Sequence, residues 1–289
     1  MQQLHLKAMA KINLSLDVLR KREDGYHEVR MIMQMINLYD KICLKKTTEP
    51  GIKVDTNLYF LPTNENNLVY KAAKLLIDEF HIEEGVSISL QKFIPVAAGL
   101  AGGSSDAACV LYGMNRMFKL GLSLDELMKR GVTLGADIPY CLLRGTALAE
   151  GIGEKLTKLP SAPGGEHVLI AKPGISVSTK FVYTNLKINE LESHPNIDKQ
   201  LQAIKNQDAT SMIESMGNVL ESVTIPAYPI IDTIKQCMME HGALNAMMSG
   251  SGPTVFGIFP THDSAISAQE ALKQQQLAKM IYLTSFSNL

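Results

Sequence analysis

Along residues 11–18, "KINLSLDV", the apolar Ile12, Leu14, Leu16 and Val18 alternate with Lys11, Asn13, Ser15 and Asp17. A period of two is the signature of a half-buried β-strand, because successive side chains leave opposite faces. The pattern sets Lys11 and Asn13 side by side on the polar face. A polar stretch, "RKREDGYHE", then supplies a turn signal at Asp24-Gly25, and a second strand-like run, rich in methionine, extends from Val29 to Met35. The period changes after that. In "NLVYKAAKLLIDEF", residues 67–80, the positions Leu68, Ala72, Leu75, Leu76 and Phe80 share one helical face, and "GVSISLQKF" returns to alternation and delivers the chain to Pro95.

Residues 95–108, "PVAAGLAGGSSDAA", follow that strand, and behind them Ala107, Leu111, Met114 and Phe118 recur at helical spacing. The order is therefore strand, glycine-rich loop, helix N-terminus. A helix start presents unpaired N–H groups and partial positive charge, and Gly99, Gly102 and Gly103 would let a phosphate approach the backbone closely. Ser104 and Ser105 can cap the helix or offer hydroxyls to phosphate oxygens or a bound Mg²⁺. The loop is neither a GxxxxGK[ST] P-loop nor a GxGxxG dinucleotide fingerprint. Read by itself, it is equally a capped helix entered through a tight glycine turn.

Pro and Gly concentrate in "LPSAPGGEH", residues 159–167, which suggests a boundary near residue 160 and domains of 1–160 and 161–289. Beyond it come a strand at "HVLIAKPG", helical stretches, a strand at "TVFGIF", a helix around Ala265 to Leu277 and a last strand at "MIYLTSF". Such alternation predicts an α+β layer sandwich.

Composition narrows the classes of function. The 289 residues are 46% hydrophobic, enough for a proper core in one or two domains. Lys and Arg total 28 against 29 Asp and Glu, so the basic field that nucleic acid or an anionic membrane requires is missing. The cysteines Cys43, Cys109, Cys141 and Cys237 form no CxxC pair, which points away from zinc and disulfides and toward free thiols in a reducing cytosol. No run approaches the roughly 18 apolar residues of a membrane span. The expectation is a soluble cytoplasmic protein, monomer or homodimer.

Three segments occur together in one order: "AKINLSLDVLRKREDGYHE" at 10–28, the glycine loop, and "MMSGSGPTVF" at 247–256. With "ENNLVYKAA", "LGADIPYCL", "GTALAEGIGEKL" and "KPGISVSTKFVY" they make a sequence that resembles the GHMP kinases over nearly its whole length. Ala101 stands where many members of that superfamily have a third glycine. The resemblance implies a two-domain α+β GHMP kinase fold. Its N-terminal βα domain would be ribosomal-protein-S5-domain-2-like, its C-terminal domain a ferredoxin-like α/β sandwich, and its active site would lie in the cleft between them. It implies transfer of the γ-phosphoryl of ATP, with Mg²⁺, to the hydroxyl of a small molecule.

Residue by residue, the resemblance makes Asp137 in "LGADIPY" the acid that receives or orients the hydroxyl proton, and Lys11 in "AKIN" the cation that stabilises charge on the transferring group. Alone, the first is as well a turn residue and the second a solvated strand lysine. ATP would be held by Asn67 and by Pro95, Val96, Ala97, Ala98, Gly99, Leu100, Ala101, Gly102, Gly103, Ser104 and Ser105, with Ser105 a candidate Mg²⁺ ligand; Asn67 is also a plain helix N-cap. Asn13, Tyr26, His27, Tyr183 and the late motif Ser249, Gly250, Ser251 and Gly252 would face the other substrate. In members carrying a "DGYH" block a cytosine ring stacks between aromatics, here Tyr26 and Tyr183, with its edge read by His27.

Overall fold

The computed structural model describes residues 2–287. Three strands open it: β1 (Gln3–Lys21), β2 (His27–Thr47) and β3 (Ile52–Thr56), followed by α1 (Leu68–Phe80) and β4 (Gly85–Gln91). The glycine loop feeds α2 (Gly102–Phe118), and α3 (Leu124–Leu134), α4 (Ile138–Leu143), β5 (Thr146–Gly151) and β6 (Lys155–Lys158) come next. The later chain forms β7 (His167–Lys172), α5 (Thr179–Asn185), α6 (Ile197–Lys205), α7 (Ala209–Glu214) and β8 (Gly217–Asn218). It ends with α8 (Glu221–Ala227), α9 (Ile230–Glu240), β9 (Asn245–Met248), β10 (Val255–Phe259), α10 (His262–Gln274) and β11 (Met280–Thr284).

Two compact units result, and they are interleaved along the chain. One takes Met1–Ala10, Leu38–Val96 and Ala101–Arg144, the other Lys11–Asn37, Ala97–Leu100 and Gly145–Leu289. A single cut at residue 160 does not coincide with them, because β1 and β2, of 19 and 21 residues, each contribute to both. The Pro- and Gly-rich stretch expected to mark a domain boundary lies within the second unit. Phe286 N donates to Gly165 O at 2.7 Å, and a Cβ on Gly165 would collide with the Phe286 ring.

In the first unit β4 pairs antiparallel with Lys41–Thr47 of β2 and parallel with β3. Helix α2 lies directly on this sheet at Gly113, where an added Cβ would come within 2.3 Å of Leu44 Cδ1 and 2.9 Å of Leu6 Cδ1. Only hydrogen fits there. Helix α3 starts on a capping box: Ser123 Oγ accepts from Glu126 N, and the Glu126 carboxylate accepts from Ser123 N at 2.8 Å.

In the second unit Val29–Gln34 of β2 pairs antiparallel with β5, β5 pairs with β6, and β8 joins β1 in parallel at Ser15 and Leu16. A separate antiparallel sheet has the order β11-β7-β10-β9. Numbered along the chain that is 4-1-3-2, with helices after its first and third strands, which is the split βαβ of a ferredoxin-like sandwich. The expected α+β class and the expected C-terminal sandwich are both observed.

β1 differs from expectation in one respect. Every residue from Ala8 to Val18 is buried, so the strand is covered on both faces and its polar residues are interior. From Lys11 onward the cover comes from its own unit: Gln200 of α6 donates to Leu14 O, and Ser15 Oγ to Ser215 O.

Candidate active site

In the second unit Lys11 is 5% exposed and Asn13 fully buried, and the Lys11 ammonium donates to Asn13 Oδ1 at 2.8 Å. The same amide donates from Nδ2 to Met31 Sδ at 3.2 Å, so its orientation is held from both ends. A lysine that deep is retained only with an acceptor for its charge. Lys11 N also donates to Leu100 O at 3.1 Å, which ties this strand to the glycine loop.

Residues 97–100 meet the late glycine motif here. Ser249 Oγ donates to Gly99 O at 3.0 Å, and a Cβ on Gly99, whose φ is +73°, would sit 2.3 Å from Ser249 O. The two backbones touch, as the pairing of two glycine motifs requires. A Cβ on Gly250 would lie 3.5 Å from Asn13 Oδ1, so the motif covers the lysine-asparagine pair. Its bend is set by Asn218, whose Nδ2 donates to Met248 O at 2.9 Å and Gly250 O at 2.7 Å while its Oδ1 accepts from Leu220 N. Ser251 Oγ bonds Thr179 Oγ1 at 2.8 Å, and Gly252 takes φ +84°. No local motif marks Asn218, because Met248 and Gly250 reach it only through folding.

The expected cytosine block is in this unit too. The ring facing Tyr183 is that of His27, at 5.2 Å between centroids and tilted 38°, while Tyr26 is 61% exposed. Burial, together with the charge of Lys21, holds His27 below its ordinary pKa, which favours the neutral ring with one donor and one acceptor.

The first unit holds the loop's stems, α2, Asn67 and Asp137. Helix α2 begins at Gly102 with Ala101 as N-cap at φ +54° and no side-chain cap. Ser104 and Ser105 are therefore inside the first turn and cap nothing, which corrects that expectation. Ala97 at +51° and Ala101 at +54° bend the loop through the left-handed region, each at a cost of about 1–2 kcal/mol for a residue with a Cβ. Strain of this kind is kept where the surroundings impose it. Asn67 is a genuine N-cap, its Oδ1 accepting from Val69 N at 3.1 Å. Asp137 precedes α4 at φ −82°, ψ −12°, and its carboxylate makes no capping bond, which leaves that group available to another partner.

One cluster in this unit escaped the sequence altogether. Lys92, at the end of β4, is buried between Asp40 and Asp106, with its ammonium donating to both carboxylates, to Asp106 at 2.6 Å. Asp40 also accepts from Phe93 N and, at 2.8 Å, from Ile94 N. Burial pushes the Asp106 carboxyl up to about 8 against the pull of Lys92, so Asp106 keeps a proton at neutral pH and the trio is neutral. No spacing rule could have found it: Asp40 and Lys92 are 52 positions apart.

Among the described residues no group of three His, Cys, Asp or Glu side chains could hold a metal ion.

The family models for the GHMP kinases N terminal domain and the GHMP kinases C terminal match residues 67–145 and 200–279. A 4-diphosphocytidyl-2-C-methyl-D-erythritol kinase of Lachnospira eligens is 58% identical over 98% of both chains. One of Clostridioides difficile is 50% identical over 98% of this chain and 95% of its own. A crystal structure of 4-(cytidine 5'-diphospho)-2C-methyl-D-erythritol kinase superposes with a TM-score of 0.83 at 31% identity, covering 98% of this chain and 99% of that one. Homoserine kinase from Cytophaga hutchinsonii shares the fold, with a TM-score of 0.80 at 20% identity over 100% of this chain and 96% of its own. By sequence and by fold, the chain belongs to the 4-diphosphocytidyl-2-C-methyl-D-erythritol kinase family of the GHMP kinases.

Proposed function

We propose that this protein transfers the γ-phosphoryl of ATP to the 2-hydroxyl of 4-diphosphocytidyl-2-C-methyl-D-erythritol, giving the 2-phosphate and ADP on the non-mevalonate route to isoprenoid precursors. The observation that carries the reading is the buried Lys11–Asn13 pair beneath Gly250, joined through Lys11 N and Ser249 Oγ to the glycine loop. It is a fixed cation beside two phosphate-type backbone motifs, which is what a phosphoryl transfer asks of a protein.

In this mechanism the substrate hydroxyl attacks the γ-phosphorus, the new O–P bond forms as the bond to the β-phosphate oxygen breaks, and ADP leaves. Asp137 takes the hydroxyl proton. Lys11 stabilises the charge that develops on the transferring group, and Asn13 keeps its ammonium aimed. Residues Pro95 to Ser105 cradle the phosphates with backbone N–H groups at the α2 N-terminus, and Asn67 lines the adenine side. The Ser105 hydroxyl, in the first turn of α2, would be the side chain to hold Mg²⁺, which would supply neutralisation of the phosphate charge. Tyr26 and Tyr183 stack on the cytosine, and His27, whose ring lies 5.2 Å from that of Tyr183, reads its edge.

A place in the cytoplasm belongs to the same reading. The described residues contain no helix long and apolar enough to cross a membrane.

ADP release from ATP-Mg²⁺, measured with 4-diphosphocytidyl-2-C-methyl-D-erythritol and in parallel with homoserine, mevalonate and galactose, tests it. Turnover confined to the cytidyl compound is expected. Turnover with another of these alcohols would overturn the substrate, and binding of ATP without transfer to any would overturn the reaction.

A further inference from the structure

The loop that would cradle ATP has two stems, residues 92–96 before it and 101–106 after it, and the Lys92–Asp40–Asp106 trio touches both. On the incoming side Lys92 is fixed through its backbone: Asn57 Oδ1 accepts from Lys92 N at 2.8 Å and Asn57 Nδ2 donates to Lys92 O at 3.1 Å. Asp40 accepts from the next two backbone N–H groups, those of Phe93 and Ile94. On the outgoing side the only anchor within this trio is Asp106 Oδ2, which accepts from the Lys92 ammonium at 2.6 Å. Gly102 is packed against the same spot, where an added Cβ would sit 3.0 Å from Ile94 Cγ2 and 3.2 Å from Lys92 Nζ. The second oxygen, Asp106 Oδ1, is buried with no hydrogen-bond partner.

A buried ion pair is a poor source of net stability, since desolvation offsets most of its attraction, but it fixes geometry strongly. The trio lies where geometry matters: the first turn of α2 supplies the N–H groups that meet phosphate, and α2 has no side-chain cap of its own to set that turn. We infer that Asp106 and Lys92 are positioning residues for nucleotide binding, an internal strut that sets the distance between the two stems of the glycine loop. The inference rests on the kinase reading above. Neither residue acts by touching the phosphates; both act through the backbone of residues 93–94 and 102–105.

Asp106→Ala cuts the strut at its outgoing end and leaves a neutral Lys92–Asp40 pair, whereas Asp106→Asn keeps an acceptor for the ammonium in the same place. Asp106→Ala is expected to raise KM for ATP, and the Kd for ADP in calorimetric titration, by about tenfold, with kcat within about threefold of wild type. Asp106→Asn is expected to stay within about twofold of wild type on all three. Should the alanine variant not fold, Asp106→Ser, which is polar but too short to reach Lys92, takes its place. Unchanged nucleotide affinity in the shortened variant, with or without a lower Tm, would overturn the strut and leave a merely structural ion pair. Equal losses in the asparagine and alanine variants would also overturn it. Wild-type protein that binds ADP yet phosphorylates no alcohol would instead sink the kinase reading, and the ADP titration would still decide the strut.

Discussion

The Lys11 ammonium donates to Asn13 Oδ1 at 2.8 Å, with both side chains buried and Met31 Sδ accepting the other end of the amide. Two residues apart on one strand face, they form a unit in which the asparagine aims the cation. Asn13→Ala should lower kcat about tenfold or more with KM for ATP nearly unchanged, and the loss of a buried amide should cost about 1–3 kcal/mol of stability. Steady-state kinetics and thermal melting check both. A wild-type kcat would mean that Lys11 needs no such partner.

Asp137 leads into α4 without capping it, so its carboxylate serves no visible structural end. Asp137→Asn is therefore expected to keep Tm and nucleotide affinity while turnover falls by at least about a hundredfold, the scale of a lost general base. Near-normal turnover would remove Asp137 from the mechanism.

Gly99 and Gly121 share a left-handed backbone, at φ +73° and +74°, but a Cβ on Gly99 would strike Ser249 O whereas one on Gly121 would meet nothing within 4 Å. Gly121→Ala should cost only the backbone strain, about 1–2 kcal/mol, and leave kinetics alone. Gly99→Ala should cost more and also depress kcat/KM by about tenfold or more, because the contact between loop and late motif is broken. Equal effects of the two on kcat/KM would show that this contact is not functional.

His27 is held neutral by burial and by the charge of Lys21. Protonation would replace its acceptor with a second donor and add a charge, so KM for the cytidyl substrate should rise as pH falls below about 6.5 while KM for ATP stays flat. In His27→Gln, which cannot titrate, that rise should vanish. Its persistence would assign the titration to another group.

Asp106 titrates near 8 in the folded protein against 3.8 in the open chain. Between those values the folded state holds a proton that the unfolded state has released, so stability falls as pH rises from about 4 to about 8 and levels off above. The groups facing Asp106 are Lys92, Asp40 and, along α2, Cys109 with Arg144 beside it. Asp106→Asn should remove this slope, so that the variant gains on wild type in denaturant titrations between pH 5 and pH 8. A constant difference across that range would contradict the buried, protonated carboxyl.

Much of this was legible in the chain. The alternation at Ile12 to Val18 places β1, the helical spacing from Leu68 to Phe80 places α1, and the order strand, glycine loop, helix is observed as β4, residues 92–101 and α2. Ser123 and Glu126 carry a readable helix start, as a capping box three residues apart. The serines behind the glycines misled as caps because cap identity depends on where the backbone leaves the left-handed region, and it does so at Ala101.

What the sequence determined by itself was local: hydrophobic period, turn residues and glycine motifs, each set by dihedral preferences and by the facing of side chains within a few positions. What only the tertiary structure decided was burial and partnership. Whether Lys11 is solvated or interior depends on what covers the second face of β1. Whether Asp40 is an ordinary polar residue or one side of a buried ion pair depends on a lysine 52 positions away. The desolvation that makes such groups useful comes from chain brought in from far along the sequence, and no local pattern encodes it.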